Sequence, residues 1–334
     1  MKIIDAHIHF SPTDTLIDYA SLVSKVDYSP EGYLKERESC GVVASVCMGM
    51  GRRIPGSETT GGDATPMLTA LNPTLIDGDY PPPNPCRYGR QSPPTLTGAS
   101  LLHPGSRGGV EAHINNTMGE RSSLASTLPE AVWLCPGINP HSLSEEHLTV
   151  LREVSQSRQV VGLKIYAGYY HIDINSPVYE PVYRLAAEYG LPVAVHTGDT
   201  FAENGLMEYS HPLHMDRLAV TWRDVTFVMC HMGAPWVFEG CEIAYKNRNV
   251  YLDLSGLLIG DSQEVQEAAA NRYWVERYQQ PIVLLNQYEK LLFGTDWPLA
   301  PMADYIHFIA TLIPEAYWQQ VFYDNATKIY RGIV

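Results

Sequence analysis

The chain has 334 residues, 45% of them hydrophobic and 18% charged, a composition able to bury a substantial core. Its formal net charge is −14 and no basic tract interrupts it, which excludes nucleic acid and anionic membrane surfaces as partners, since both need clustered Lys and Arg. The length exceeds the ~250 residues of an ordinary α/β barrel, so one large domain, 1–334, carrying an insertion is expected.

The N-terminus, Met-Lys-Ile-Ile-Asp-Ala-His, enters a strand pattern directly, without signal-peptide features. No apolar run approaches the ~20 residues of a membrane span, so a cytoplasmic protein is expected. Short β-rich apolar runs then appear at 3–9, 42–48, 132–138, 160–165, 192–196, 226–231, 250–254 and 291–296. Helical periodicity fills intervals at 179–189, 213–221, 236–247, 262–278 and 302–313. In the first of these helices Pro181 suits the opening turn, Gly190 can end it and Pro192 stops it continuing.

Strand and helix alternation of this kind implies a parallel sheet with right-handed crossovers, and an eight-fold alternation closes into a (β/α)8 TIM barrel. A dinucleotide-binding sheet does not fit. The first turn lacks glycines, and after the second strand Gly49 and Gly51 are followed by Ile54 where a third glycine is required. The stretch 52–129 breaks the rhythm: it is rich in Gly, Pro, Ser and Thr and contains Pro81-Pro82-Pro83. An insertion after the second strand leaves from the C-terminal face of a barrel, so a lid is one expectation, with Arg52, Arg53, Arg87 and Arg90 as candidate carboxylate clamps. The six cysteines show no CxxC spacing, and Cys47, Cys135 and Cys230 lie in strand-like runs, as free buried thiols would.

The chemistry gathers at strand ends. In Asp5-Ala6-His7-Ile8-His9, alternation puts His7 and His9 on one face with Cα atoms ~6.7 Å apart, where two imidazoles can converge on one ion. Val-Ala-Val-His196-Thr-Gly and Val-Met-Cys-His231-Met-Gly each end an apolar strand in a histidine, and parallel strands would open both onto one barrel mouth. Leu-Phe-Gly-Thr-Asp296-Trp-Pro places a carboxylate after an otherwise buried run, where without a cation it would be desolvated at a cost of several kcal/mol. Lys164, between Leu163 and Ile165, would be unfavourable unpaired inside a barrel. It either pairs with a carboxylate at the mouth or becomes a carbamate, an anionic ligand able to bridge two metals.

These elements together resemble the metal site of the amidohydrolase superfamily. The longer stretches Val-His-Thr-Gly, Cys-His-Met-Gly-Ala-Pro-Trp, Asn-Val-Tyr-Leu-Asp-Leu-Ser-Gly, Phe-Gly-Thr-Asp-Trp-Pro and Asn-Ala-Thr-Lys-Ile-Tyr resemble its amidohydrolase-related branch, which includes aminocarboxymuconate-semialdehyde decarboxylase-like proteins. The resemblance covers 1–50 and 132 to the C-terminus. It implies that His7, His9, His196 and Asp296 bind a divalent metal and that His231 is a further ligand or polarises the substrate. Lys164 matches the position carbamylated in binuclear members.

The first functional expectation is hydrolysis of an amide, lactone or ester of a small molecule by water activated on Zn²⁺ or Mn²⁺, one ion or two. Asp296 would shuttle the proton and His231 would hydrogen-bond the developing oxyanion. The alternative uses the same residues for decarboxylation or hydration of a small unsaturated or aromatic acid. A non-catalytic barrel that binds metal or ligand is the reading from another class. Tyr166, Asp199, Trp236 and Trp297 follow strands and are candidate substrate contacts. A homo-oligomer is compatible with the sequence and not specified by it.

Overall fold

The computed structural model describes residues 1–10, 14–49, 131–200, 202 and 204–333. The insertion 52–129, with its four arginines, lies outside the described residues.

Nine parallel strands alternate with helices: β1 Ile3–Ile8, β2 Val42–Met48, β3 Val132–Cys135, β4 Gly137–Ile138, β5 Leu163–Ile165, β6 Val193–Val195, β7 Phe227–Met229, β8 Val250–Asp253 and β9 Leu291–Leu292. They pair in the orders β1-β2-β3 and β4 through β9. The break falls at Pro136, which has no N–H to give a ladder but whose carbonyl still accepts Lys164 N–H at 2.8 Å. β3 and β4 are thus one barrel strand in two pieces. Closure comes from the segment after β9: Ala6 N donates to Phe293 O at 2.9 Å and His9 N to Trp297 O at 2.8 Å. The fold is a (β/α)8 TIM barrel, with the insertion after its second strand.

Alternation along the strands separates two apolar layers. Ile4, Ala6, Val46, Ala194, Val228 and Leu292 belong to one cluster, drawn from strands all round the barrel, and fill its interior. Leu163, Ile165, Val193, Val195, Phe227 and Leu252 point the other way and pack under the helices. Lys164, between two outward residues, therefore projects inward.

Local signals explain the helix ends. Pro30–Cys40 opens on Ser29, whose hydroxyl accepts Gly32 N–H, and closes on Gly41 at φ 71. The helix expected over 262–278 is two: Ser262–Ala270, capped by Asp261 and Glu264 in a capping box, and Arg272–Leu285, whose Asn271 side chain accepts Tyr273 N–H. Asn271 is extended (φ −90, ψ 115) and caps a second helix, a preference the 3.6-residue pattern does not register. Among the described residues no helix is long and apolar enough to cross a membrane.

Candidate metal centre

β1 delivers two histidines to the barrel mouth, though not by simple alternation. Ala6 belongs to the interior cluster and Ile8 to the outer one, and the pairing of β1 with β2 shifts register between Asp5 and Ile8. Such an irregularity re-aims the end of a strand. His7 and His9 consequently meet edge to face, ring centroids 5.1 Å apart. Asp296 is brought against them by the closing segment, its N–H bonded to His7 O at 2.8 Å.

The proton positions follow from the partners. His7 Nδ1 lies 2.8 Å from Asp253 Oδ2, and His9 Nδ1 lies 3.2 Å from the Met48 carbonyl. Both partners only accept, so each ring carries its proton on Nδ1 and presents a lone pair at Nε2. Burial pushes the His7 pKa down to about 4, against the pull of Asp253 and Asp296, so a second proton is disfavoured. The two Nε2 atoms are 3.3 Å apart and stand 3.3 and 3.0 Å from Asp296 Oδ1. With no hydrogen between them these are approaches of lone pair to lone pair, and Asp296 Oδ1 is a buried oxygen without a hydrogen-bond donor.

That is the signature of a cation seat. Ligand atoms ~2.0–2.2 Å from a metal lie ~2.8–3.1 Å apart at octahedral angles and ~3.3–3.6 Å apart at tetrahedral ones, a span that includes all three separations. The residues present therefore fit the divalent ion that the sequence implies.

His231 stands beside the triangle, its ring 5.0 Å from His7 and its Nδ1 3.8 Å from Asp296 Oδ2. Nδ1 also lies 3.1 Å from the Ser255 carbonyl, so the proton sits on Nδ1 and Nε2 is the free base. Burial lowers the His231 pKa and keeps the ring neutral. His231 and Asp296 both adopt left-handed backbone, φ 60 and φ 62, as residues held at functional positions often do. Gly256 permits their approach: a Cβ there would come within 2.7 Å of Asp296 Oδ2 and 2.8 Å of His231 Nδ1.

His196 is beside His231, ring centroids 5.0 Å apart, and its Nε2 is 3.0 Å from Asp199 O. Its free lone pair is therefore on Nδ1, and it does not join the convergent triangle in this ring orientation. Lys164 is fully buried, and its Nζ donates to Cys230 Sγ at 2.9 Å. The carboxylate pairing expected for it is absent among the described residues.

Asp253 and Ser255 received no role from the sequence. Asp253 Oδ2 orients His7, while Oδ1 accepts from the backbone N–H groups of His231 and Ser255, each at 3.1 Å, and from the Ser255 hydroxyl. Ser255 Oγ lies 3.1 Å from His7 Nδ1 and 2.9 Å from His231 Nδ1. A carboxylate behind a histidine ligand fixes both its tautomer and its direction. The motif Val-Tyr-Leu-Asp-Leu-Ser-Gly was visible, but a buried Asp at a strand end does not say which imidazole it faces.

Of the expected substrate contacts, Trp236 and Asp199 are partly exposed. Tyr166 is 4% exposed, with its hydroxyl 3.5 Å from Met48 O. Trp297 is fully enclosed, ringed by Phe10, Tyr28 and Tyr33 with its indole N–H on Glu36, and packs the mouth from beneath. It has no surface left for a substrate. Tyr169 stands edge to face on His196, ring centroids 4.9 Å apart.

A family model described as amidohydrolase matches residues 4–332. No curated protein matches the sequence. Among solved structures the chain is similar to a probable 2-pyrone-4,6-dicarboxylic acid hydrolase from Acinetobacter baumannii, 13% identical, TM-score 0.54, covering 99% of both chains. It is also similar to a 2,6-dihydroxybenzoate decarboxylase complexed with 2,6-dihydroxybenzoate, 13% identical, TM-score 0.57, covering 99% of both. A third is the 5-carboxyvanillate decarboxylase from Novosphingobium aromaticivorans, complexed with manganese and a nitrobenzoic acid, 12% identical, TM-score 0.56, with 99% of this chain and 96% of that one covered. At these identities the likeness establishes the barrel, while the family match runs through every strand that builds the mouth. The chain belongs to the amidohydrolase family, in its amidohydrolase-related branch.

Proposed function

We propose that the chain is a metal-dependent lyase that decarboxylates a small aromatic or unsaturated carboxylic acid. The hydrolysis expected first from the sequence gives way to its alternative. The observation that carries this reading is a donor set for one ion: three lone pairs converge at His7, His9 and Asp296, while Lys164 is engaged with Cys230 Sγ at 2.9 Å. Two of the three solved relatives are named as decarboxylases, one of them with manganese, which supports the same reading.

His7, His9 and Asp296 would hold the ion, and His196 would complete the set through Nδ1 or after a turn of its ring. When bound, a divalent ion such as Mn²⁺ or Zn²⁺ supplies a fixed positive charge that anchors the substrate's carboxylate and a neighbouring oxygen. Loss of CO₂ breaks one C–C bond and leaves its electron pair on carbon, which must then receive one proton. His231 is placed to carry that proton: Ser255 holds Nδ1–H, and Nε2 remains a neutral base able to take a proton and return it. Asp199, Tyr169 and Trp236 flank the mouth and suit a flat substrate.

The test is to load the protein with Mn²⁺ or Zn²⁺ and assay hydroxylated benzoic acids and unsaturated acids for CO₂ release, with amides and lactones in parallel. Release of CO₂ with one deuterium incorporated at carbon in D₂O is the expected outcome. Turnover of lactones or amides with no CO₂ from any acid would return the assignment to hydrolysis.

A further inference from the structure

His211-Pro212-Leu213 follows β6, and the metal centre makes no use of it. A proline restricts the residue before it to extended backbone, and His211 is at φ −64, ψ 132. Pro212 packs on the turn that carries His231: a Cβ on Gly233 would come within 2.5 Å of Pro212 Cγ. Ser210 is tied to the loop of His196, its hydroxyl donating to Gly198 O at 2.6 Å and its carbonyl accepting Gly198 N–H at 2.8 Å. Asp199 N–H donates to Ala234 O at 2.8 Å and joins that loop to the one after β7. Both loops leave the C-terminal ends of their strands, so His211 stands on the rim of the mouth, next to the loops of His196 and His231.

The ring is held on two sides. Leu213 N–H donates to His211 Nδ1 at 3.2 Å, which puts the ring proton on Nε2. Trp236 lies against the ring, with centroids 4.3 Å apart and planes tilted by 47°. Both side chains are partly exposed, and His211 Nε2–H has no hydrogen-bond partner among the described residues. An imidazole whose tautomer and direction are both fixed is a donor that loses little further freedom when a ligand uses it.

We propose that His211 is a specificity-determining residue, its Nε2–H donating to a second oxygen of the substrate on the side away from the carboxylate held by the ion. The inference rests on the carboxylic acid reading given above and narrows it to aromatic acids that carry a hydroxyl or another accepting oxygen at the far side of the ring. A bare hydrocarbon edge placed there would cover the donor without satisfying it, and such an acid is disfavoured. Trp236 acts on the same step indirectly, by holding the imidazole in place.

Calorimetric binding of benzoate, 3-hydroxybenzoate and 4-hydroxybenzoate to the Mn²⁺-loaded full chain tests it. At least one hydroxybenzoate should bind about fivefold or more tighter than benzoate. His211→Ala should leave the benzoate affinity within about twofold of the parent and bring both hydroxybenzoates down to it. His211→Gln, which keeps an N–H donor, should retain part of the preference. Unaltered thermal unfolding and manganese content verify that the variants are intact. A parent with no preference, or a preference that survives in His211→Ala, would overturn the proposal. A His211-dependent preference without CO₂ release from any acid would remove the decarboxylation and leave the subsite standing, whereas CO₂ release without that preference would remove the subsite alone.

Discussion

Asp5 and Asp296 are both buried carboxylates at the junction of β1 with the closing segment, yet their surroundings differ. Asp5 accepts from Thr295 N–H at 2.9 Å, the Thr295 hydroxyl at 2.6 Å and His7 N–H at 3.2 Å. Burial pushes its pKa up to about 7 despite these donors. Asp296 has an oxygen with no donor, facing two imidazole lone pairs. The first stitches two barrel segments together; the second has the donor geometry that the proposed ion would satisfy. Burial alone does not distinguish a structural carboxylate from a ligand, whereas the count of satisfied acceptors does.

The largest effect should come from replacing Asp296. Asp296→Ala is expected to lower turnover by about 10³-fold or more and to abolish stoichiometric metal, measured by elemental analysis. The metal-free protein should unfold at an unchanged or higher temperature, because an unsatisfied charge has been removed. Loss of fold instead would mean that Asp296 is structural like Asp5.

Asp5→Ala should act in the opposite way, costing about 3–5 kcal/mol in denaturant unfolding by stranding three buried donors, while the protein that remains folded still binds metal. Unaltered stability would erase the distinction between the two carboxylates.

Asp253→Asn probes the intermediate case, a carboxylate satisfied on one oxygen by the backbone and on the other by the ring of His7. Metal affinity by competition titration should fall about 10–100-fold, since His7 loses the partner that fixes its tautomer. An unchanged affinity would assign Asp253 to the backbone turn alone.

The smallest effect lies outside the barrel. Asp261 caps helix Ser262–Ala270, and Asp261→Ala should cost about 1 kcal/mol by thermal unfolding without touching metal binding. Its hydrogen bond from Lys25 and the helix amides hold the carboxyl below its ordinary 3.8. A depressed folded-state value means that the cap stabilises above about pH 4 and is lost as pH falls below it, so the variant and the parent should converge in acid. A constant difference across that range would show that the charge does not matter to the cap.

Much of this was legible in residues 1–49 and 131–333. The runs at 42–48 and 213–221 have the bounds read from their apolar pattern, and Pro181 and Gly190 frame their helix because proline's ring and glycine's positive φ act through local geometry. The residue types at the mouth were equally plain, since His and Asp ending apolar strands are costly without a purpose. The direction of each side chain was not. His7 and His9 converge through a register shift that no alternation rule contains, and Lys164 turned to a thiol rather than to a carboxylate.

By itself, the sequence determined the order of strands, the caps that bound the helices and the set of groups available at the barrel mouth, because those follow from chain-local sterics and apolar periodicity. The tertiary structure decided which three atoms share a seat, that Asp253 stands behind His7 from 246 positions away, and that Trp297 is packing rather than contact surface. Those outcomes depend on how the barrel closes, and closure is settled by pairing among all its strands together.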